Sequence, residues 1–230
     1  MSSIPTHSRV TPPVWLRRFC AALALTLLLA WGLFAALTLP VRAAPVMQAT
    51  AAPVVISEFR TSGGGTSPGN DEFIEIYNSS PGDVPVGGWA IQKSSSSGAI
   101  SFVATIPTNV NLSPGQHYLI VNTAAPPAIA GSADLLYSAS IADNGGIGLF
   151  LPDKTQIVDA VGMSAGMPLL EGAPLSPLAN KPTLSYERKL GGASGNCVDT
   201  NDNASDFVTA IANPQNQLSS IVVPPCSTAT

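Results

Sequence analysis

The pentapeptide Gly162-Met163-Ser164-Ala165-Gly166 has the G-x-S-x-G spacing of a nucleophile elbow, where a strand-to-helix turn lifts a serine towards a histidine base. In that arrangement the acid and the histidine follow the serine. Here His117 precedes it, His7 lies far upstream near the N-terminus, and the residues after Gly166 are proline-rich. The pentapeptide therefore reads as a turn of small residues. His117 has no cysteine or second histidine near it with which to build a zinc site, so it is expected to be a solvated strand residue. Further on, Asp199, Asn201 and Asn203 repeat at two-residue steps with Asp202 and Asp206 beside them, the pattern with which oxygen ligands open a calcium loop. Against calcium, Ala204 stands at the sixth position, where such a loop turns on glycine, and Ala210 stands at the twelfth, where it closes on glutamate. The alternative is a set of Asx-turns, in which these side chains bond their own backbone.

The remaining candidates are carboxylates. DEFIEIYNSSPGDVPVGGWAIQ, residues 71–92, carries Glu72, Glu75 and Asp83 on a strand-turn-strand pattern. Glu72 and Glu75 are three apart, so on a strand they point to opposite faces and form no acid/base pair by themselves. Glu75 is expected on a solvated edge, where its charge discourages edge-to-edge pairing. Pairing across the sheet with Glu58 or an aspartate is the arrangement a glycosidase would use. A cleft gathering three or more of Glu58, Asp71, Glu75, Asp199, Asp202 and Asp206 would favour a secreted hydrolase, calcium-dependent if the Asp199–Asp206 loop binds the ion. No catalytic, cofactor-binding or metal-binding residue is assigned, and no cofactor is expected.

The elements that would hold these residues are strands. From Val54 onward, short apolar runs are broken by Gly, Pro, Asn and Ser, with almost no helical periodicity, which predicts an all-β fold. Strands are expected at Val54 to Phe59, Phe73 to Tyr77, Gly88 to Ile91, Ile100 to Ile106, Tyr118 to Val121 and Leu184 to Arg188. The clearest hairpin joins Ile147–Leu151 to Gln156–Val161 through Pro152-Asp153-Lys154-Thr155. Met163 to Pro182, with four prolines, reads as an irregular excursion. About seven strands with a turn every dozen residues suggest a sandwich, with Trp89 packed between its sheets.

Ahead of this lies a leader. Arg9, Arg17 and Arg18 precede an apolar run from Phe19 to Leu39, the layout of an export signal, with Val41-Arg42-Ala43 as a cleavage site. The run is also close to the length that crosses a bilayer, so residues 1–43 read either as a cleaved signal peptide or as an uncleaved membrane anchor. Residues 44–52 form a linker, residues 53–216 the sandwich domain with an extended C-terminal part, and residues 217–230 a loose tail fastened by a disulfide. Beyond the leader, six basic residues face fourteen acidic ones, a net charge of −8 that repels nucleic acid. Cys197 and Cys226 are the two cysteines outside the leader, and in an oxidising compartment they are expected to pair.

The succession VVISEF, DEFIEIYN, GGWAI, LSPGQHYLIV, IGLFLPDKTQIVDAVG, SYERK and DTNDNASDF with Asn213-Pro214 resembles the bacterial lamin-tail domain family, from about Pro53 to Asn216. The resemblance implies an immunoglobulin-like β-sandwich in an exported protein, with a role in binding or in holding proteins at the envelope. Nuclear relatives bind proteins and in some cases DNA; the acidity of this chain and its lack of a coiled-coil rod speak against the DNA role. The expected function is a secreted, non-catalytic binding or scaffolding module that recognises an envelope protein or polysaccharide. Loops such as Thr61 to Asn70 and Ser94 to Gly98 would make the contact. A membrane would be touched only through an uncleaved N-terminal segment.

Overall fold

Most of the runs expected to be strands form two facing sheets. The computed structural model describes residues 52–63, 68–178, 183–221 and 226, all within one compact unit, Ala49–Thr230. The leader, most of the linker and part of the Thr61–Asn70 loop lie outside the described residues. Among the described residues no helix is long and apolar enough to cross a membrane.

The strands are β1 (Val54–Arg60), β2 (Phe73–Asn78), β3 (Val84–Pro85), β4 (Ala90–Ser94), β5 (Ile100–Thr105), β6 (Asn111–Leu112) and β7 (His117–Asn122). They are followed by β8 (Leu135–Tyr137), β9 (Gly146–Phe150), β10 (Ile157–Gly162), β11 (Leu184–Arg188) and β12 (Phe207–Ile211), with short helices α1 (Pro127–Ala130) and α2 (Asn203–Asp206). One sheet runs β12-β11-β1-β2-β7-β8 and the other β10-β9-β4-β5, with β3-β6 as a small extra ribbon. Every pairing is antiparallel except that of β7 with β8. This is an immunoglobulin-like β-sandwich.

Strand alternation explains the core. Ile74 and Ile76 of β2 face inward, as do Ile56 and Phe59 of β1, and they meet Ile91, Ile147, Leu149 and Val161 from the other sheet. Trp89 lies between the layers, as its sequence setting predicts. Each fully buried side chain of this size contributes about 1.5–3 kcal/mol from area removed from water. The opposite face of the larger sheet is covered too: Phe73, Leu119 and Val121 pack beneath Ile129 and Ala130 of α1.

That covering overturns two expectations. Glu75 is not on a solvated edge, because β2 lies between β1 and β7 and Glu75 is 2 % exposed. His117 is not solvated either: it is 7 % exposed, stacked beside Tyr77 at 4.7 Å between ring centroids and bonded to Asn196. Both lie under chain that arrives from far along the sequence, which the alternation within their own strands does not reveal.

Candidate functional site

Along β11, Leu184, Tyr186 and Arg188 share the inward face, so the strand carries an arginine into the sandwich, where it is fully buried. Its Nη2 donates to both carboxylate oxygens of Asp159 of β10, at 2.7 and 3.0 Å, while Nε donates to Ile56 O and Nη1 to Val198 O. Asp199 and Asp206 stand 3.5 and 3.6 Å from its other terminal nitrogen, and the ring of Phe207 lies 4.6 Å below. One side chain thus ties β1, β10, β11 and the 198–206 loop together, and planar guanidinium geometry suits that task.

Beside this hub a cleft of about 540 Å³ opens. Trp89, Leu151, Ile157 and Val158 form its apolar wall, and Glu171, Asp199 and Asn201 supply its polar side. Glu171 is brought there by a turn at Gly172. With φ at +58° and Asp202 only 2.8 Å from where a Cβ would sit, that position has no room for a side chain. One Glu171 oxygen, Oε2, is buried without a hydrogen-bond partner. Burial, with the charges of Asp159 and Asp199 next to it, pushes the Glu171 carboxyl up to about 8. Asp159, Glu171 and Asp199 each offer an oxygen within 4.8 Å of the others. Sequence reasoning missed Asp159, Glu171 and Arg188 as a group. The available signal was an arginine at an inward strand position, which demands buried carboxylates.

The residues singled out by sequence disperse. Of Glu58, Asp71, Glu75, Asp199, Asp202 and Asp206, the cleft contains Asp199 alone. Glu58 and Glu75 do meet across the β1–β2 register, but on the outer face of the larger sheet, where Ser185 and Ser57 donate to them. Asp71 pairs with Arg60. Glu72 is buried on its own, accepting from Ile141 N at 2.9 Å, Asn122 Nδ2 at 3.0 Å and the Tyr137 hydroxyl at 3.2 Å. Desolvation nevertheless holds its carboxyl above the usual range. Asp83 is exposed in its turn.

Ser164 follows β10 in a turn with Gly166 at φ +79° and no helix after it, while His117 belongs to the other sheet. In the 199–206 loop Asp202 and Asp206 serve local backbone, as in the Asx-turn reading, whereas Asp199 accepts from Ala52 N at 3.1 Å. Asp202 caps α2 by accepting from Ser205 N at 3.0 Å, and Asp206 accepts from Thr200 N and Thr200 Oγ1. Asn203 is buried against β10, donating to Ala160 O and accepting from Gly162 N. A disulfide joins Cys197 to Cys226, with 5.4 Å between their Cα atoms, and such bonds persist in oxidising compartments.

The sequence model of the Lamin Tail Domain family matches residues 47–165, just over half of the chain. The chain belongs to the lamin tail domain family. Lamin tail domains are immunoglobulin-like and generally non-catalytic, in keeping with the two-layer fold. The matched segment holds β1 to β10; β11, α2 and β12 follow it. Among solved structures, a DUF4876 family protein from Bacteroides thetaiotaomicron aligns at 13 % identity and a TM-score of 0.47, covering 74 % of this chain and 73 % of that chain. No curated protein matches the sequence.

Proposed function

We propose that this lamin tail domain protein is an exported, non-catalytic module that binds a protein partner at the cell envelope or outside the cell. The cleft beside Arg188 carries this reading. Its polar side, the carboxyls of Glu171 and Asp199 and the Asn201 amide, is set against an apolar wall and offers acceptor oxygens. A basic side chain with an aliphatic stem on a partner protein complements that combination. Polysaccharide is less well matched, because sugars stack on open aromatic faces and Trp89 is 7 % exposed. The disulfide and the excess of acidic residues beyond the leader support an extracellular setting.

The test is capture of envelope proteins and of glycans in parallel by the intact chain and by Ile157→Lys. Ile157 lines the cleft while 48 % exposed, so the change leaves the core alone and puts a cation where the partner's would sit. The native chain should retain a protein that Ile157→Lys does not, and glycan capture should be equal for both. Retention of the same protein by both chains would remove the cleft from the account.

A further inference from the structure

The two main sheets have four outer strands, β12 and β8 in one and β10 and β5 in the other. Three of them carry the devices that keep sheet edges from pairing with other chains. β5 and β10 each hold an extra residue, Val103 and Val158, where the register with the neighbouring strand slips. β8 is three residues long and begins beside Asp134. β12 has none of these. Its five residues run in unbroken register against β11, from Phe207 opposite Arg188 to Ile211 opposite Leu184. Residues 207–221 contain no charged side chain, and β12 contains no proline.

The chain that follows β12 leaves its outer edge bare. Asn213 N donates to Glu58 of β1 at 3.0 Å, Gln215 N to Glu75 of β2 and Gln217 N to Asp134 at 2.8 Å, so the tail expected to be loose is drawn across the outer face of the sheet, away from that edge. The ladder shows which groups stay open. Lys189 N donates to Asp206 O at one end of β12, and Ala212 N donates to Thr183 O at the other. By antiparallel alternation Val208 and Ala210 then bond β11, while Phe207, Thr209 and Ile211 point their backbone groups outward. Asn203 O takes the Phe207 amide. Among the described residues nothing bonds the amides of Thr209 and Ile211 from that side. The side chains are open as well: Thr209 is exposed, Val208 is 43 % exposed and Ile211 75 %.

We propose that β12 is a self-association edge, through which two copies of this chain pair antiparallel about a two-fold axis at Thr209, joining two six-stranded sheets into one of twelve. The register centred on Thr209 uses the whole strand: Thr209 meets its own copy, and Ile211 lies opposite Phe207, so outward amides meet outward carbonyls. Val208 then lies opposite Ala210. A two-fold contact brings the same patch of both copies together, so a row of like charges would disfavour it and a neutral strand suits it. On a chain with six basic and fourteen acidic residues beyond the leader, the neutrality of β12 is what lets a second copy approach. Glu187, beside Val208 on β11, would stand three strand spacings or more from its copy, roughly 14 Å. That exceeds the screening length of about 8 Å at physiological salt.

Sedimentation of the intact chain at micromolar concentration tests this, with the native chain expected as a dimer. Thr209→Lys sets two ammonium groups against each other at the axis and should raise the dimer dissociation constant about tenfold or more. Thr209→Pro should do the same and serves if the first variant does not fold, because a proline whose missing N–H faced outward leaves the bonds to β11 in place. Thr209→Cys should give a disulfide-linked dimer on mild oxidation, since paired Cα atoms at such a position lie about 5.5 Å apart. The native chain, with Cys20 in its leader, sets the background, and Ser97→Cys in the exposed β4–β5 loop should not exceed it. A monomeric native chain would overturn the proposal. So would association that survives both Thr209→Lys and Thr209→Pro, or a Ser97→Cys crosslink as strong as that of Thr209→Cys.

Discussion

The segment matched by the family and the segment that follows it are held together by different physics. Through β10 the chain is organised by alternation: inward Ile, Leu, Val and Phe meet across two sheets, and buried polar groups such as Glu72 and Asn78 are bonded by other strands and loops of the same segment. From residue 166 onward the chain is organised by buried polar contacts. Arg188 anchors β11, Asn203 fixes the loop against β10 and Asp206 braces it from within, Glu58, Glu75 and Asp134 accept from the backbone of residues 213, 215 and 217, and a disulfide closes the end. The later segment supplies two strands of the six-stranded sheet and covers the free edge of β1, which would otherwise offer its backbone to other chains.

The contrast is testable in order of expected effect. Arg188→Met leaves Asp159 buried and uncompensated, so urea unfolding should show a loss of about 3–5 kcal/mol; adding Asp159→Leu should recover a good part of it, since apolar replacement of a whole buried pair is often tolerated. No recovery would mean the guanidinium matters for its bonds to Ile56 and Val198 rather than for its charge. Second, Cys197→Ser with Cys226→Ser opens a loop of sequence separation 29. The chain-entropy account expects roughly 3–4 kcal/mol from that loss, with exchange of the residue 213–217 amides preceding that of the core. Third, Ile74→Val in the alternating segment should cost about 0.5–1.5 kcal/mol and leave hydrogen-exchange protection of the residue 213–217 amides unchanged. If it loosened them in step with the core, the two segments would form one cooperative unit and the comparison would fail.

What is legible in the sequence follows the same division. β1, β2 and the β9–β10 hairpin stand out because their apolar and polar residues alternate between a dry and a covered face and end in proline or glycine turns. β12 is hard to see because Val208 on its outward face and Ile211 on the side of Leu184 are both apolar yet exposed, so it lacks the contrast that marks a strand, and it follows an asparagine-rich loop. β8 is three residues long and pairs in parallel with β7, a pairing that no hairpin signal announces. Glu75 and His117 mislead because their burial is made by residues about 140 and 80 positions away, Gln215 and Asn196. The cleft is invisible for the same reason: Trp89, Ile157, Glu171 and Asp199 come from four separate stretches, and no spacing rule links them.

One irregularity in β1 has a reach larger than its size. The register with β2 slips between Ile56 and Glu58, so Ser57 and Glu58 both send their side chains to the same surface while Ile56 and Phe59 remain on the other. That extra residue works as a phase shift written into the chain. Without the slip, strict two-residue rhythm carried on from Ile56 through Ser57 would turn Phe59 out to water and drive Glu58 among hydrocarbons. The length of this strand is therefore as much a determinant of the protein as its composition.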